Sequence, residues 1–98
     1  MKKMYALNYT NNGNGIDSRP YGSTIAVSTD IEKLRAEMQK CIETDCLETD
    51  DDFDGDEYAH NFQIYQEYEN GDNVEVVLES KLDYELTVTY LIHEVEIL

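Results

Sequence analysis

Hydrophobic and polar positions alternate along several stretches of the chain, which is the pattern of strands with one buried face. Near the start, Tyr5, Leu7 and Tyr9 alternate with their neighbours in this way. A stretch rich in Asn and Gly follows, and residues 24–27 then form a short apolar run. The pattern predicts two strands joined by an irregular connection.

The clearest element is a helix, which the sequence predicts from residue 30 to about residue 44. Thr29-Asp30-Ile31-Glu32 has the pattern of a capping box with Thr29 as the N-cap. One apolar stripe follows at helical spacing and consists of Ile31, Leu34, Met38, Cys41 and Ile42. The bases lie off this stripe, so we expect them on the solvent face: Lys33, Arg35 and Lys40.

Residues 61–80 predict a β-hairpin whose register follows from its apolar positions. A three-residue loop ending at Gly71 pairs Phe62 with Leu78 and Ile64 with Val76, and this keeps one apolar face. A two-residue turn at positions 70 and 71 would place the two apolar sets on opposite faces. We therefore expect the longer loop, with these side chains on the solvent face: Gln63, Glu67, Glu75 and Glu79.

Residues 82–92 also alternate, but Val95 and Ile97 continue the alternation one position out of step. This change predicts a bulge or a strand break near Ile92-His93. The whole chain, residues 1–98, predicts a single α+β domain in the order β-β-α-β-β-β. Its antiparallel sheet has four to five strands, and one helix packs on one face.

Charge is distributed very unevenly along this fold. Residues 1–40 hold four acids and six bases, whereas residues 41–98 hold eighteen acids and a single base, Lys81; the two parts sum to the net charge of −15. Nine of the acids lie in residues 43–57, which predicts a mobile acidic loop at 43–60. Solubility needs a net charge of only roughly 2–8 units in a small domain. The excess repels nucleic acid and anionic membrane and attracts basic proteins or divalent cations.

Two groups of acids are candidates for binding a basic partner. Carboxylates at these positions can accept charge-assisted hydrogen bonds from the Arg and Lys side chains that normally hold DNA phosphates. The first group lies in the acidic loop and consists of Glu48, Asp50, Asp51, Asp52, Asp54, Asp56 and Glu57. The second lies in the hairpin and consists of Glu67, Glu69, Asp72, Glu75 and Glu79.

Calcium binding is an alternative interpretation of the acidic loop. Residues 50–55 match D-x-D-x-D-G, the first half of an EF-hand loop, with Asp50, Asp52 and Asp54 as side-chain ligands. The match covers these six residues only, because Asn61 stands where an EF-hand has its bidentate Glu. A solvated acidic loop without a bound ion is the simpler interpretation, and no other cofactor is predicted.

No residue pattern typical of catalysis accompanies the charge. His60 and His93 are isolated, and Cys41 and Cys46 have neither zinc nor redox spacing, which favours two reduced thiols. There is no signal-peptide pattern and no apolar run of membrane-spanning length. We therefore predict a non-enzymatic cytoplasmic protein.

A short acidic chain with an α+β core and the 43–57 acidic cluster resembles small inhibitors encoded by phages and mobile elements. Anti-CRISPR and anti-restriction DNA-mimic proteins belong to this class. The resemblance implies an inhibitor that occupies the DNA channel of a nuclease in a bacterial host cell. In an RNA-guided nuclease, its carboxylates would cover the arginines that read the PAM. Two alternatives stay open: a calcium-binding module, and an adaptor that docks on a basic protein surface.

Overall fold

In the computed structural model, the described residues are 3–11, 21–47, 61–81 and 86–95. In chain order the elements are β1 (Met4–Asn11), β2 (Tyr21–Ser28), α1 (Ile31–Asp45), β3 (Phe62–Asn70), β4 (Asn73–Ser80) and β5 (Thr87–Val95). The five strands form one antiparallel sheet in the order β2-β1-β5-β4-β3. The predicted α+β class, the element order and the single sheet are therefore confirmed.

Helix α1 packs on one face of the sheet, which we call the helix face; the opposite side is the outer face. Leu34, Met38 and Ile42 of α1 are buried, as the apolar stripe predicts. They belong to the same core as Leu7 and Ile92 on the central strands, which are completely buried. Burial of this stripe, rather than helix propensity alone, holds α1 in place.

The N-cap of α1 is Asp30, so the predicted cap at Thr29 is wrong by one residue. The Asp30 carboxylate accepts a hydrogen bond from the Glu32 backbone N–H at 3.0 Å, and the Asp30 N–H donates to Ser28 Oγ at 3.0 Å. Both residue types can cap a helix, but a carboxylate also interacts favourably with the helix dipole. At the other end, α1 continues through residues 43–45, which the sequence assigns to the acidic loop.

The turn between β3 and β4 has two residues rather than the predicted three. Asn70 lies opposite Asn73, and Gly71 and Asp72 connect them. Gly71 has a φ of 62°, which a residue without a Cβ adopts at little cost. Glycine at the first position of a two-residue turn is a common solution in hairpins because its twist matches that of the strands.

A β-bulge in β3 explains how a two-residue turn is compatible with one apolar face. Ile64 lies opposite Leu78 and Gln66 lies opposite Val77, so Tyr65 is one extra residue without a partner on β4. The predicted pairings of Phe62 with Leu78 and of Ile64 with Val76 are therefore wrong, because Phe62 lies opposite Ser80. The prediction assumed a regular ladder, and the extra residue changes which side chains share a face.

Strand β5 contains no bulge near Ile92-His93, so that prediction is also wrong. Its pairing with β1 runs without a shift from Val88 to Val95. The hydrophobic pattern changes because Glu94 occupies an exposed helix-face position, where its carboxylate lies 3.9 Å from Lys3 Nζ. The predicted strand residues 82–85 lie outside the described residues.

Candidate functional site

The β3–β4 hairpin contains every acid of the second predicted group. Residues 61–80 hold five acids and no base. The hairpin forms one side of the sheet, with β3 as the edge strand and β4 between β3 and β5. The first predicted group lies outside the described residues: Glu48, Asp50, Asp51, Asp52, Asp54, Asp56 and Glu57. The calcium hypothesis for Asp50, Asp52 and Asp54 lies there too.

The bulge at Tyr65 divides the hairpin acids between the two faces of the sheet. Glu67 and Glu69 lie opposite Val76 and Val74, so they belong to the helix face. The prediction that Glu67 shares a face with Glu75 and Glu79 is therefore wrong. Directly opposite residues share a face, and the extra residue at the bulge moves the later positions of β3 by one.

Glu75 and Glu79 lie on the outer face, as predicted. Glu75 is opposite Tyr68, and Glu79 is opposite Gln63. The Gln63 side-chain amide donates a hydrogen bond to the Glu79 carboxylate at 2.8 Å, which fixes the orientation of both side chains. Both carboxylates belong to an internal strand, so they lie away from the free edge of β3.

Arg35 links α1 to the hairpin. Its Nη2 donates a hydrogen bond to Glu69 Oε1 at 2.6 Å, and its Nε lies 3.9 Å from the Glu32 carboxylate. The hydrogen bond to Glu69 raises the pKa of Arg35 further above its ordinary value. The Arg35 side chain is only 33% exposed. The prediction of a purely solvent-facing base is thus wrong for Arg35, although Lys33 and Lys40 are exposed.

The hairpin turn also contacts β1, which β5 separates from the hairpin in the sheet. Asp72 is exposed, and its Oδ2 accepts a hydrogen bond from the Tyr5 hydroxyl of β1 at 3.1 Å. Burial of Tyr5, and then the bond to Asp72, raise the pKa of this phenol. The carboxylate therefore has a fixed position although the turn itself is in solvent.

An open groove, which we call the hairpin groove, lies between α1 and the hairpin and has a volume of about 340 Å³. Its floor is apolar and includes Met38, Ile42 and Val76, all of which are largely buried. Glu67 and Glu69 line it from β3. The sequence did not predict this groove, because its geometry depends on the bulge.

Exposed aromatic rings accompany the acids. Tyr65 and Tyr68 are 64% and 56% exposed, and Ile64, which lies opposite Leu78 on the helix face, is 50% exposed. Tyrosine is enriched at the energetically important positions of protein interfaces. Sequence reasoning missed this group because a regular ladder places these side chains differently. The neighbouring pair Ile64-Tyr65 interrupts the strict alternation and is the signal that could have shown it.

Among the described residues, the ring of His93 is hydrogen-bonded within the fold, whereas both cysteines are free thiols. Asn8 Nδ2 donates to His93 Nε2 at 2.6 Å, and His93 Nδ1 donates to the Glu94 carbonyl at 3.2 Å, so both ring nitrogens are occupied. Cys41 and Cys46 are free thiols, and burial raises the pKa of each. Within the part of the chain that the structure describes, no three His, Cys, Asp or Glu side chains form a group that could hold a metal ion.

Comparisons with protein-family models, curated proteins and solved structures find no match for this chain. Within the residues that the structure describes, no helix is long and apolar enough to cross a lipid bilayer.

Proposed function

We propose that this protein is a non-enzymatic inhibitor that binds the basic nucleic-acid-binding surface of a nuclease as a DNA mimic and blocks access of DNA. A CRISPR nuclease in the bacterial host cytoplasm is the partner that this proposal favours. The observation that carries the proposal is the β3–β4 hairpin, with five acids and no base between residues 61 and 80.

The hairpin acids form a surface that can bind cationic side chains. Glu67 and Glu69 are alternate residues of one strand, so they are about 7 Å apart along it. Arg and Lys side chains that hold phosphates can donate charge-assisted hydrogen bonds to carboxylates at such positions.

Protection of the sheet edge is a simpler explanation for some of these acids. A bulge and charged side chains on β3 prevent pairing with another edge strand, and Glu67 and Glu69 lie on that strand. Glu75 and Glu79 need another explanation, because β4 is paired on both sides. These two outer-face acids therefore favour a basic partner over edge protection alone.

The test is displacement of DNA from a purified RNA-guided nuclease, measured by fluorescence anisotropy of a labelled PAM-containing duplex. We expect the protein to release the duplex at low salt and to lose this effect as salt rises. The double variant Glu75→Gln/Glu79→Gln should displace less DNA. Its matched control is Glu37→Gln/Glu43→Gln, which removes the same charge from α1.

The outcomes separate the proposal from the alternatives. Equal loss in both double variants would show that only net charge matters and that the hairpin is not the binding surface. Binding to the nuclease without release of DNA would support the adaptor function instead. If a panel of basic nucleases and repressors neither binds the protein nor releases DNA, the proposed function is wrong.

A further inference from the structure

The hairpin groove has the chemistry of a site for an extended, basic segment of a partner protein. We propose that one apolar side chain of this segment packs against Ile64, above the largely buried floor of the groove, while a neighbouring Lys or Arg pairs with Glu67. This inference rests on the proposed function and specifies the chemistry of its partner.

The wall of the groove at Ile64 offers apolar contact that the fold leaves accessible. Met38, Ile42 and Val76 belong to the core and keep only 4–6% exposure, so they form a largely buried floor. Ile64 forms one wall and is half-exposed. A volume of about 340 Å³ is at the small end of ligand sites, which range over roughly 300–1,000 Å³. The size suits one or two side chains of a polypeptide.

The groove already shows how a guanidinium binds there. Arg35 extends from α1 and donates to Glu69 at 2.6 Å, and its stem lines the groove. Glu67 is the next helix-face acid of β3; it is exposed, and none of the described basic side chains forms an ion pair with it. A base from a partner would form a second pair of the same kind beside the first.

Charge selects a basic segment over the other possible occupants. A second copy of this protein also carries a net charge of −15, so its approach to Glu67 is unfavourable. An anionic ligand meets the same repulsion. A basic segment is attracted instead, and the edge position of β3 leaves room for an extended chain beside the groove.

The test is an NMR titration of the full chain with two synthetic nine-residue peptides. In the first, Lys and Val alternate; in the second, Ser replaces each Val and the charge is unchanged. We expect the first peptide to cause saturable amide shifts at Met38, Ile42, Ile64, Glu67 and Val76. The Lys-Ser peptide should bind at least about threefold more weakly, because it lacks apolar side chains that pack against Ile64.

Two variants locate the ionic contact. Glu67→Gln and Glu37→Gln remove one charge each, from the groove and from a position of α1 outside the groove lining respectively. We expect Glu67→Gln to weaken binding of the Lys-Val peptide about threefold, and Glu37→Gln to weaken it by much less. Equal effects of the two variants, equal binding of the two peptides, or shifts confined to the outer face would overturn the inference.

The result is distinguishable from failure of the proposed function. If the shifts lie outside the groove and the protein still releases DNA from a nuclease, the groove assignment is wrong and the inhibitor function stands. If the peptide binds in the groove and no nuclease releases DNA, the groove assignment stands and the inhibitor function is wrong. Amide shifts that depend on protein concentration without peptide would assign the groove to a second copy and would also overturn the inference.

Discussion

Tyr90 on the central strand β5 donates a hydrogen bond to Asp45 in the last turn of α1. This contact joins the end of the helix to the middle of the sheet, where the Tyr90 ring also packs against Tyr9 with ring centroids 5.4 Å apart. An acid in the last turn of a helix is unfavourable because the helix dipole is negative there. The Tyr90 hydroxyl offsets this cost by stabilising the carboxylate.

Replacement of Tyr90 by Phe should therefore destabilise the fold. The variant keeps most of the packing but leaves the Asp45 carboxylate without this donor, so we expect the free energy of unfolding to fall by about 1–2 kcal/mol. Urea denaturation followed by circular dichroism measures this change. Asp45→Asn is the matched control, because it keeps an acceptor and removes the unfavourable charge. A Tyr90→Phe variant as stable as the wild type would show that the hydrogen bond contributes nothing.

The same hydrogen bond predicts a decrease in stability at alkaline pH. Burial, and then the bond to Asp45, raise the pKa of Tyr90 far above its ordinary value of 10.0. In the unfolded chain this phenol ionises near pH 10, whereas in the folded protein it stays protonated. The folded state is thus favoured fully below pH 10, and this contribution is lost as the pH rises further.

The measurement is the free energy of unfolding from urea titrations at pH 9, 10 and 11. Between pH 10 and 11 the wild type should lose about 1 kcal/mol more than Tyr90→Phe. The comparison of the two proteins cancels the effects of lysine titration and net charge. If both proteins lost the same free energy of unfolding between pH 10 and 11, the Tyr90 phenol would ionise equally easily in the folded and unfolded states.

The ion pair between Arg35 and Glu69 should contribute to stability modestly and in a salt-dependent way. Both side chains are partly exposed, so we expect Arg35→Met to lower the free energy of unfolding by about 0.5–1 kcal/mol at 50 mM salt. At about 0.5 M salt the difference should shrink, because the Debye length is then only a few ångströms. Lys33→Met, at an exposed position of the same helix, is the control. A double-mutant cycle with Glu69→Gln that gives no coupling energy would contradict this prediction.

Sequence reasoning was most accurate where burial repeats regularly. The apolar stripe of α1 and the alternation of Val88, Tyr90 and Ile92 reflect one-sided burial, so they predicted the helix, the strand and the α+β class. The site was harder to predict because Tyr65 adds one residue to β3 and moves Glu67 to the other face. A bulge has no fixed residue pattern, and its energy depends on the complete ladder. The Arg35–Glu69 contact joins residues 34 positions apart and depends on that same face.

Gly71 should be required for the geometry of the turn. Its φ of 62° lies in the left-handed region, and an added Cβ would meet no atom within 4 Å. The cost of Gly71→Ala therefore comes from the backbone conformation and not from a clash with neighbouring atoms. We expect the free energy of unfolding to fall by about 1 kcal/mol. Gly71→Asn should cost less, because Asn tolerates this region better than Ala. Thermal unfolding of the two variants measures this difference. Equal losses of stability in Gly71→Ala and Gly71→Asn would argue against a conformational cause.

The bulge itself can be removed by deletion of Tyr65. The remaining residues then form a regular ladder in which Ile64 and Gln66 follow each other opposite Leu78 and Val77, so the acids after them keep their faces. We expect the fold to persist. However, a regular edge strand without a bulge is a better template for pairing with another copy, so self-association should increase.

Sedimentation velocity over a range of protein concentrations, at about 0.5 M salt to screen the net charge, measures this self-association. Tyr65→Ser is the matched control: it keeps the bulge and removes only the exposed ring. If Tyr65→Ser associates as strongly as the deletion, the ring and not the bulge keeps copies apart. If neither variant associates, the charges on β3 protect the edge without help from the bulge. In that case Glu67 and Glu69 are sufficient for edge protection, and only the outer-face acids Glu75 and Glu79 remain to be explained by a basic partner.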